Sequence, residues 1–432
     1  MERNEDFCRT TAGRILERVR ADDALVTLQR VRQMSTRFAA NLVSQNVDLE
    51  TQRVTVEVAF GDRRGSAKVE SFDPEALDAV VQRAEEAARE APPDPEFLPF
   101  LGPQEYLPVE AWDEATADLP AADRIGIAQD VITAVRRASC QAAGTVEITP
   151  SETAVATRAG LFAWHARTDV EIGCTVTAPD SSGWAHDVSG QVGGISAASV
   201  AARAIEGALG SARPRTLPAG RYTVVLLPAA ASNLLGILVG SMDARMTDEG
   251  TTFLSGKVGE RLAGEEIHVT SDPRDPALPT MPFSSEGVPH QPVTWIDRGF
   301  FVGRHADRFT ARRLELPPTP FPLALRMEGT DKPLPQLIAG VERGILVTRF
   351  WYIRPLQMHE TLWTGMTRDG TFLIEDGRIA GGVASMRWND SCLGMLQRTI
   401  DRGTPELCGY AGNCVVCPPL VVRDWNFVSS AE

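Results

Sequence analysis

One order of elements occurs twice in the first half of this 432-residue chain, and it limits the fold more than any other feature. The first copy opens with a helix-spaced run over residues 4–19, where Cys8, Ala12, Ile15, Leu16 and Val19 share one face. Strand-like runs follow at 24–31, 34–46, 51–60 and 63–71. In "QRVTVEVAF", Val54, Val56 and Val58 alternate with polar neighbours, the period of a half-buried strand. Asp73 then suits a helix N-cap and Pro74 the first helical position, which predicts a helix over 74–90 that ends before "PPDPEF". The second copy begins with the amphipathic run "AADRIGIAQDVITAVRRAS". It continues through strand-like "GTVEIT", "ETAVATR", "LFAWHAR" and "DVEIGCTVTA" and a further segment "GWAHDVSGQ", and it closes on the helical "SAASVAARAIEGALG". The expectation is an α+β protein with a duplicated α-β-β-β-β-α N-terminal half, divided as 1–115 and 116–216.

From residue 217 the character changes. "GRYTVVLLP" reads as a strand and "AAASNLLGILVGSM" as a helix. Strands are expected at 266–270, 291–297, 299–302, 345–353, 362–368, 371–375 and 378–381. Asp-Gly occurs twice in "TRDGTFLIEDGRIAGG", a strong hairpin signal. Residues 217–432 are therefore expected to form one large, mostly-β domain.

Composition narrows the function. A formal net charge of −14 argues against a grip on nucleic-acid phosphates. No apolar run reaches the length of a membrane span, and the N-terminus lacks the apolar core of a signal peptide. Seven cysteines, an odd number spread over a long chain, point to a reduced cytoplasm and not to a disulfide framework.

Few residues offer chemistry by spacing alone. His359-Glu360 begins like a zinc-protease motif, but Trp363 stands where the second histidine belongs. Cys408, Cys414 and Cys417 are close enough in sequence to bind zinc, yet no fourth ligand lies near, and buried unligated thiols are the ordinary alternative. His165, His186, His268, His290 and His305 are scattered outside any nucleophile elbow. In "SSEGVPHQPV", Gly287 permits a positive φ, while Glu286 could bind substrate or cap a turn.

Several phrases together resemble the TldD/PmbA (TldD/TldE) family. They are "STRFAANLVSQNV", "DRRGSAKVESFDPEALDAVVQRAEEAAREAPPDPEF", "GRYTVVLLP", "GTTFLSGKVGE", "SSEGVPHQPVTWIDRGFFVG", "DRFTARRL", "GILVTRFWYIRP" and "TRDGTFLIEDGRI". The resemblance implies zinc-dependent peptidases and amidases. In these a TldD subunit holds zinc on a His-Glu-x-x-x-His helix with a distant cysteine, and a TldE (PmbA) subunit lacks that motif. Counting back from "GTTFLSG", the motif window falls on residues 235–240, where Leu235, Gly236 and Gly240 replace the histidine, glutamate and histidine. No catalytic residue and no metal is then expected in this chain, Cys408 being a remnant ligand. The resemblance further implies a zinc-bearing TldD-like partner in a heterodimer and an extended peptide or amide substrate, with Glu286, Gly287, His290 and Arg368 as candidate cavity residues. Two alternatives stay open: an independent hydrolase rebuilt from Cys408, Cys414, Cys417 and perhaps His290 or His359, and a homodimeric binding protein without enzymatic activity.

Overall fold

The computed structural model describes residues 3–410 and 413–430. The first helix, Glu5–Arg18, is capped by the Asn4 side chain, which accepts a hydrogen bond from the Phe7 N–H. It leads into two long strands, β1 (Asp23–Ala39) and β2 (Leu42–Phe60), joined at Ala40 and Asn41, whose φ values are 48° and 61°. Two successive left-handed residues match the right-handed twist of the strands they connect. β3 (Arg63–Val69) pairs with β2, and the Pro74–Glu90 helix follows as expected.

The second group holds β4 (Gln141–Ile148), β5 (Ser151–Thr157), β6 (Phe162–Arg167), β7 (Val170–Ala178) and β8 (Ser181–Ser189), between the helices Ala121–Arg137 and Ala197–Gly210. The strand counts are thus three and five, which corrects the expected four and four. The polar stretch around residues 30–33 is not a break. Arg30 bonds Glu152 at 2.5 Å, Arg32 bonds Asp48 at 2.7 and 2.8 Å, and Gln33 bonds Glu147 at 2.8 Å, so cross-strand partners carry β1 straight through. Nor do the two groups make separate sheets. All eight strands share one sheet in the order β3-β2-β1-β4-β7-β8, with β5 on β1 and β6 on β5. Helices lie close against it: a Cβ on Gly65 would meet Ala88 N at 2.2 Å, and one on Gly183 would meet Ala204 O at 2.1 Å.

Beyond residue 217, β9 (Gly220–Leu226) leads into the helix Pro228–Gly240. The short strands β10 (Val269–Ser271), β11 (Val293–Asp297), β12 (Phe300–Phe301) and β13 (Leu325–Met327) follow, then the long β14 (Arg343–Gln357) and β15 (Leu362–Glu375). β16 (Arg378–Gly382), β17 (Met386–Ser391), β18 (Thr399–Arg402), β19 (Glu406–Tyr410), β20 (Asn413–Cys417) and β21 (Leu420–Ser430) complete the succession. The pairings β14–β9, β9–β21, β21–β17, β17–β15 and β15–β14 close on themselves, so these strands form a small barrel. A second sheet runs β12-β11-β10-β13-β20-β19.

Only one of the two Asp-Gly pairs turns the chain. Asp376-Gly377 makes the β15–β16 hairpin, whereas Asp369-Gly370 sits inside the continuous β15 as an irregularity opposite Val347 and Arg349. Both residues have positive φ there, 53° and 110°. The Asp369 carboxylate is held in place by the Arg349 guanidinium and by the Ser182 hydroxyl at 2.7 Å. That last bond joins β8 to the barrel. No helix among the described residues is long and apolar enough to cross a membrane.

Candidate functional site

The helix Pro228–Gly240 has proline in its first turn, where a missing N–H costs nothing, and it carries two different faces. Leu234, Leu235, Leu238 and Val239 are fully buried in the core that also contains Trp388, Trp425 and Phe350. Those three aromatic rings lie 4.7–5.6 Å apart between centroids. The opposite face presents Ala229, Ser232, Asn233, Gly236 and Ile237, the three-and-four spacing of a single helical stripe, to a cleft of about 670 Å³. Of the three positions singled out in the window 235–240, Gly236 lines this cleft, Leu235 lies in the core, and Gly240 is half-buried outside the lining.

The other walls come from distant segments. Phe350, Trp351, Tyr352, Ile353 and Arg354 of β14 form one side, Phe321–Leu323 and Leu325 another, Gly409, Tyr410, Cys414 and Val415 a third, and β8 adds Trp184. Arg349 stacks 4.6 Å over Trp184, and Arg354 stacks 4.4 Å over Tyr352. Among the described residues no carboxylate lines the cleft, so it offers cations, aromatic faces and one amide, with no group suited to activate water. It also offers backbone: β9 pairs with β14 only as far as Val347, which leaves the other edge of β14 unpaired from Phe350 onward among the described residues. A free strand edge beside a groove can take up an extended chain through main-chain hydrogen bonds.

Cys408 reaches the helix face. Its thiol donates to Val415 O at 3.3 Å and lies 3.6 Å from Pro228 O, and Ser232 is a further partner. Burial pushes this thiol up to about 11, against the lowering effect of Ser232. Zinc selects thiolate, imidazole and carboxylate. Cys408 beside Ser232, Asn233 and Ile237 supplies at most one member of that set, with no imidazole or carboxylate beside it, so these residues do not fit a zinc ion. Cys414, pushed up to about 12, and Cys417 are likewise raised by burial, and their thiols point to the backbone carbonyls of Tyr410 and Pro418. His359 is exposed in the Met358–Glu360 turn at the tip of the β14–β15 hairpin. Among the described residues no three His, Cys, Asp or Glu side chains converge as metal ligands, and the Cys408, Cys414, Cys417, His290 and His359 set does not come together.

Two of the candidate cavity residues meet in a second cleft of about 410 Å³, lined by Glu286 and His290 with Asp243, His305, Asp307 and Arg308. Gly287 holds the turn between them: its φ is +80°, Tyr106 donates to its carbonyl at 2.8 Å, and a Cβ would meet Leu161 at 2.7 Å. Arg368 lies apart from both clefts, exposed, 4.7 Å over Trp351 and 3.6 Å from Asp369. The spacing of single residues gave no sign of Ser232, Asn233, Ile237 or the aromatic wall. The available signal was "RFWYIRP", a strand unusually dense in aromatic and arginine residues for an exposed edge.

Burial pushes His290, and with it His165 in β6, down to about 4. A histidine whose folded pKa lies below its unfolded value of about 6.5 binds its proton more readily in the unfolded chain. The stability it contributes is complete above pH ~6.5 and falls as pH drops toward 4, by about 3 kcal/mol per histidine. Urea unfolding across this range is expected to show His290→Gln and His165→Gln each flattening the acid slope; slopes equal to the parent's would contradict these assignments.

Residues 219–429 match the family model described as the PmbA/TldA metallopeptidase C-terminal domain, and residues 114–212 match that of the central domain. The metalloprotease PmbA of Escherichia coli O157:H7 is 23% identical over 334 residues, 73% of each chain. A metalloprotease of Methanothermobacter thermautotrophicus is 24% identical over 221 residues, covering 46% of this chain and 47% of its own. The crystal structure of TldE from Thermococcus kodakarensis superposes with a TM-score of 0.88 at 17% identity, covering 98% of this chain and 99% of that one.

Proposed function

The chain belongs to the PmbA/TldD metallopeptidase family, and from this we propose that it is a metal-free, TldE-like subunit that walls a substrate cleft beside a zinc-bearing, TldD-like partner. The observation that carries the reading is the cleft face of the helix Pro228–Gly240. At about 100° per residue, the first, second and sixth positions of a His-Glu-x-x-x-His motif span an arc of about 140°. Ser232, Asn233 and Ile237 occupy such an arc, all line the cleft, and Ser232 is beside Cys408. We therefore place the degenerate motif three residues before the window counted from "GTTFLSG". In that register the first position has a hydroxyl, the second an amide and the sixth an isoleucine, so the face has lost both imidazoles and the carboxylate while the cysteine remains.

What this chain contributes is binding. The unpaired edge of β14 takes the backbone of an extended peptide or amide substrate, Trp351 and Tyr352 receive its side chains, and Arg354 faces its carbonyl or carboxylate groups. The water-activating chemistry belongs to the partner. Affinity purification from the native host tests this: a homologue carrying His-Glu-x-x-x-His is expected to co-purify, and peptide hydrolysis to follow the complex through further fractionation. Recovery of the chain as a homodimer alone would favour the non-enzymatic alternative. Zinc-dependent hydrolysis by the homodimer would favour an independent hydrolase.

A further inference from the structure

The smaller cleft is not accounted for by a lost metal site. It adjoins the larger one, sharing Phe321 and Leu323 as a common wall. Among its described lining residues Asp243, Glu286 and Asp307 face the single cation Arg308. That cation is already engaged, its Nη1 lying 3.7 Å from Glu286 and its Nη2 donating to Pro99 O at 2.6 Å. Asp307 leans toward Arg245 at 3.8 Å, but Glu96 holds Arg245 more closely, at 2.7 and 3.1 Å. Among the described residues Asp243 Oδ2 has only His305 Nδ1 beside it, at 3.4 Å.

An acidic rim by itself is solvated surface. His290 distinguishes this one. It is 8% exposed and lines the cleft, and only its backbone N–H, bonded to Pro282 O at 2.9 Å, has a partner among the described residues. Its ring nitrogens are not among the fully enclosed unpaired atoms, so they open onto the cleft, where a ligand's polar group can bond to them. The remaining wall is mixed, with Met281, Phe283, Phe321 and Leu323 as its apolar part and Ser284, Ser285, Thr319 and His305 as its polar part.

We propose that the smaller cleft is a subsite for a lysine or arginine side chain of the peptide held in the larger one, an inference that rests on the peptide-binding reading above. The aliphatic stem of such a side chain lies along Phe283 and Phe321, and its charged end donates to Asp243 and His290. Phe321 adds a cation–π face. Burial keeps His290 neutral near pH 7, so it accepts a hydrogen bond without repelling the cation.

Fluorescence anisotropy on the full chain, with labelled unfolded peptides that differ only in lysine or norleucine at one position, tests the subsite. NMR titration with Nα-acetyl-lysinamide and Nα-acetyl-norleucinamide forms a second arm. The lysine peptide is expected to bind about tenfold more tightly, the scale of one well-placed charge pair. Asp243→Asn is expected to remove most of that preference, and Glu286→Gln, whose carboxylate is shared with Arg308, a smaller part, both leaving the norleucine peptide unaffected. Asparagine still accepts from the Met246 N–H as an N-cap, so the first variant keeps its fold, and the second lies in an exposed turn. Equal binding of the two peptides, or a preference intact in both variants, overturns the subsite, as does failure of lysinamide and both peptides to bind. If neither peptide binds while lysinamide is held in an Asp243-dependent way, the subsite stands and the peptide reading of the larger cleft fails.

Discussion

A chain carrying Ser232→His, Asn233→Glu and Ile237→His is expected to bind one equivalent of zinc with a Kd of about 1 μM or tighter, roughly 8 kcal/mol. The reason is positional. All three residues line the cleft, Cys408 already reaches Ser232, and the wholly apolar buried face of the helix is made by Leu234, Leu235, Leu238 and Val239, with Ile237 packed only at its margin. The companion variant Leu235→His, Gly236→Glu, Gly240→His places the same side chains three residues later. It is expected to lose about 3 kcal/mol of stability and gain no zinc, because Leu235 is wholly buried and an imidazole there has no partner. Metal analysis after dialysis and urea unfolding of both variants decide between the two registers. Zinc uptake by the second variant alone would place the decayed motif at residues 235–240 after all.

Asp369→Asn is expected to destabilise the protein by about 3 kcal/mol. The carboxylate is almost wholly buried, and it faces Arg349, itself largely buried, while accepting from Ser182. Asparagine has the same size and tolerates the positive φ of 53° at this position, so the change removes the charge and little else. Arg349 is then left without its counter-charge beside the cleft. The double variant Arg349→Met, Asp369→Asn is expected to recover a large part of the loss, since the uncompensated charge, not the lost attraction, dominates the cost. A single-variant loss below about 1 kcal/mol in urea unfolding would contradict a structural role for the pair.

Local signals were readable wherever local chemistry decides the structure. Asp73 and Pro74 mark the start of their helix, and the valine alternation of residues 54–58 marks a strand, because capping and period are properties of a few neighbouring residues. Legibility ended where partners came from elsewhere. The polar run near Arg32 reads as a break until Asp48 and Glu147 lie across from it. Asp369-Gly370 reads as a hairpin until Arg349 and Ser182 hold it inside a strand. The helix Pro228–Gly240 is apolar over most of its circumference, so periodicity could not tell that Leu235 faces the core and Ser232 the cleft. The larger cleft is assembled from Trp184, Phe321, the residues 350–354 and Tyr410, segments that only tertiary pairing brings together. The resemblance to a known family pointed to this helix; the fold shows which of its faces lines the cleft.

The central claim, that this chain assists hydrolysis without performing it, meets its most direct test in one paired measurement. Zinc content and turnover of an unfolded peptide are determined for the purified chain alone and for the chain in complex with its co-purifying partner. The account predicts no stoichiometric zinc and no turnover for the chain alone, with both appearing in the complex and turnover abolished there by a chelator. Stoichiometric zinc together with chelator-sensitive turnover in the isolated chain would contradict it.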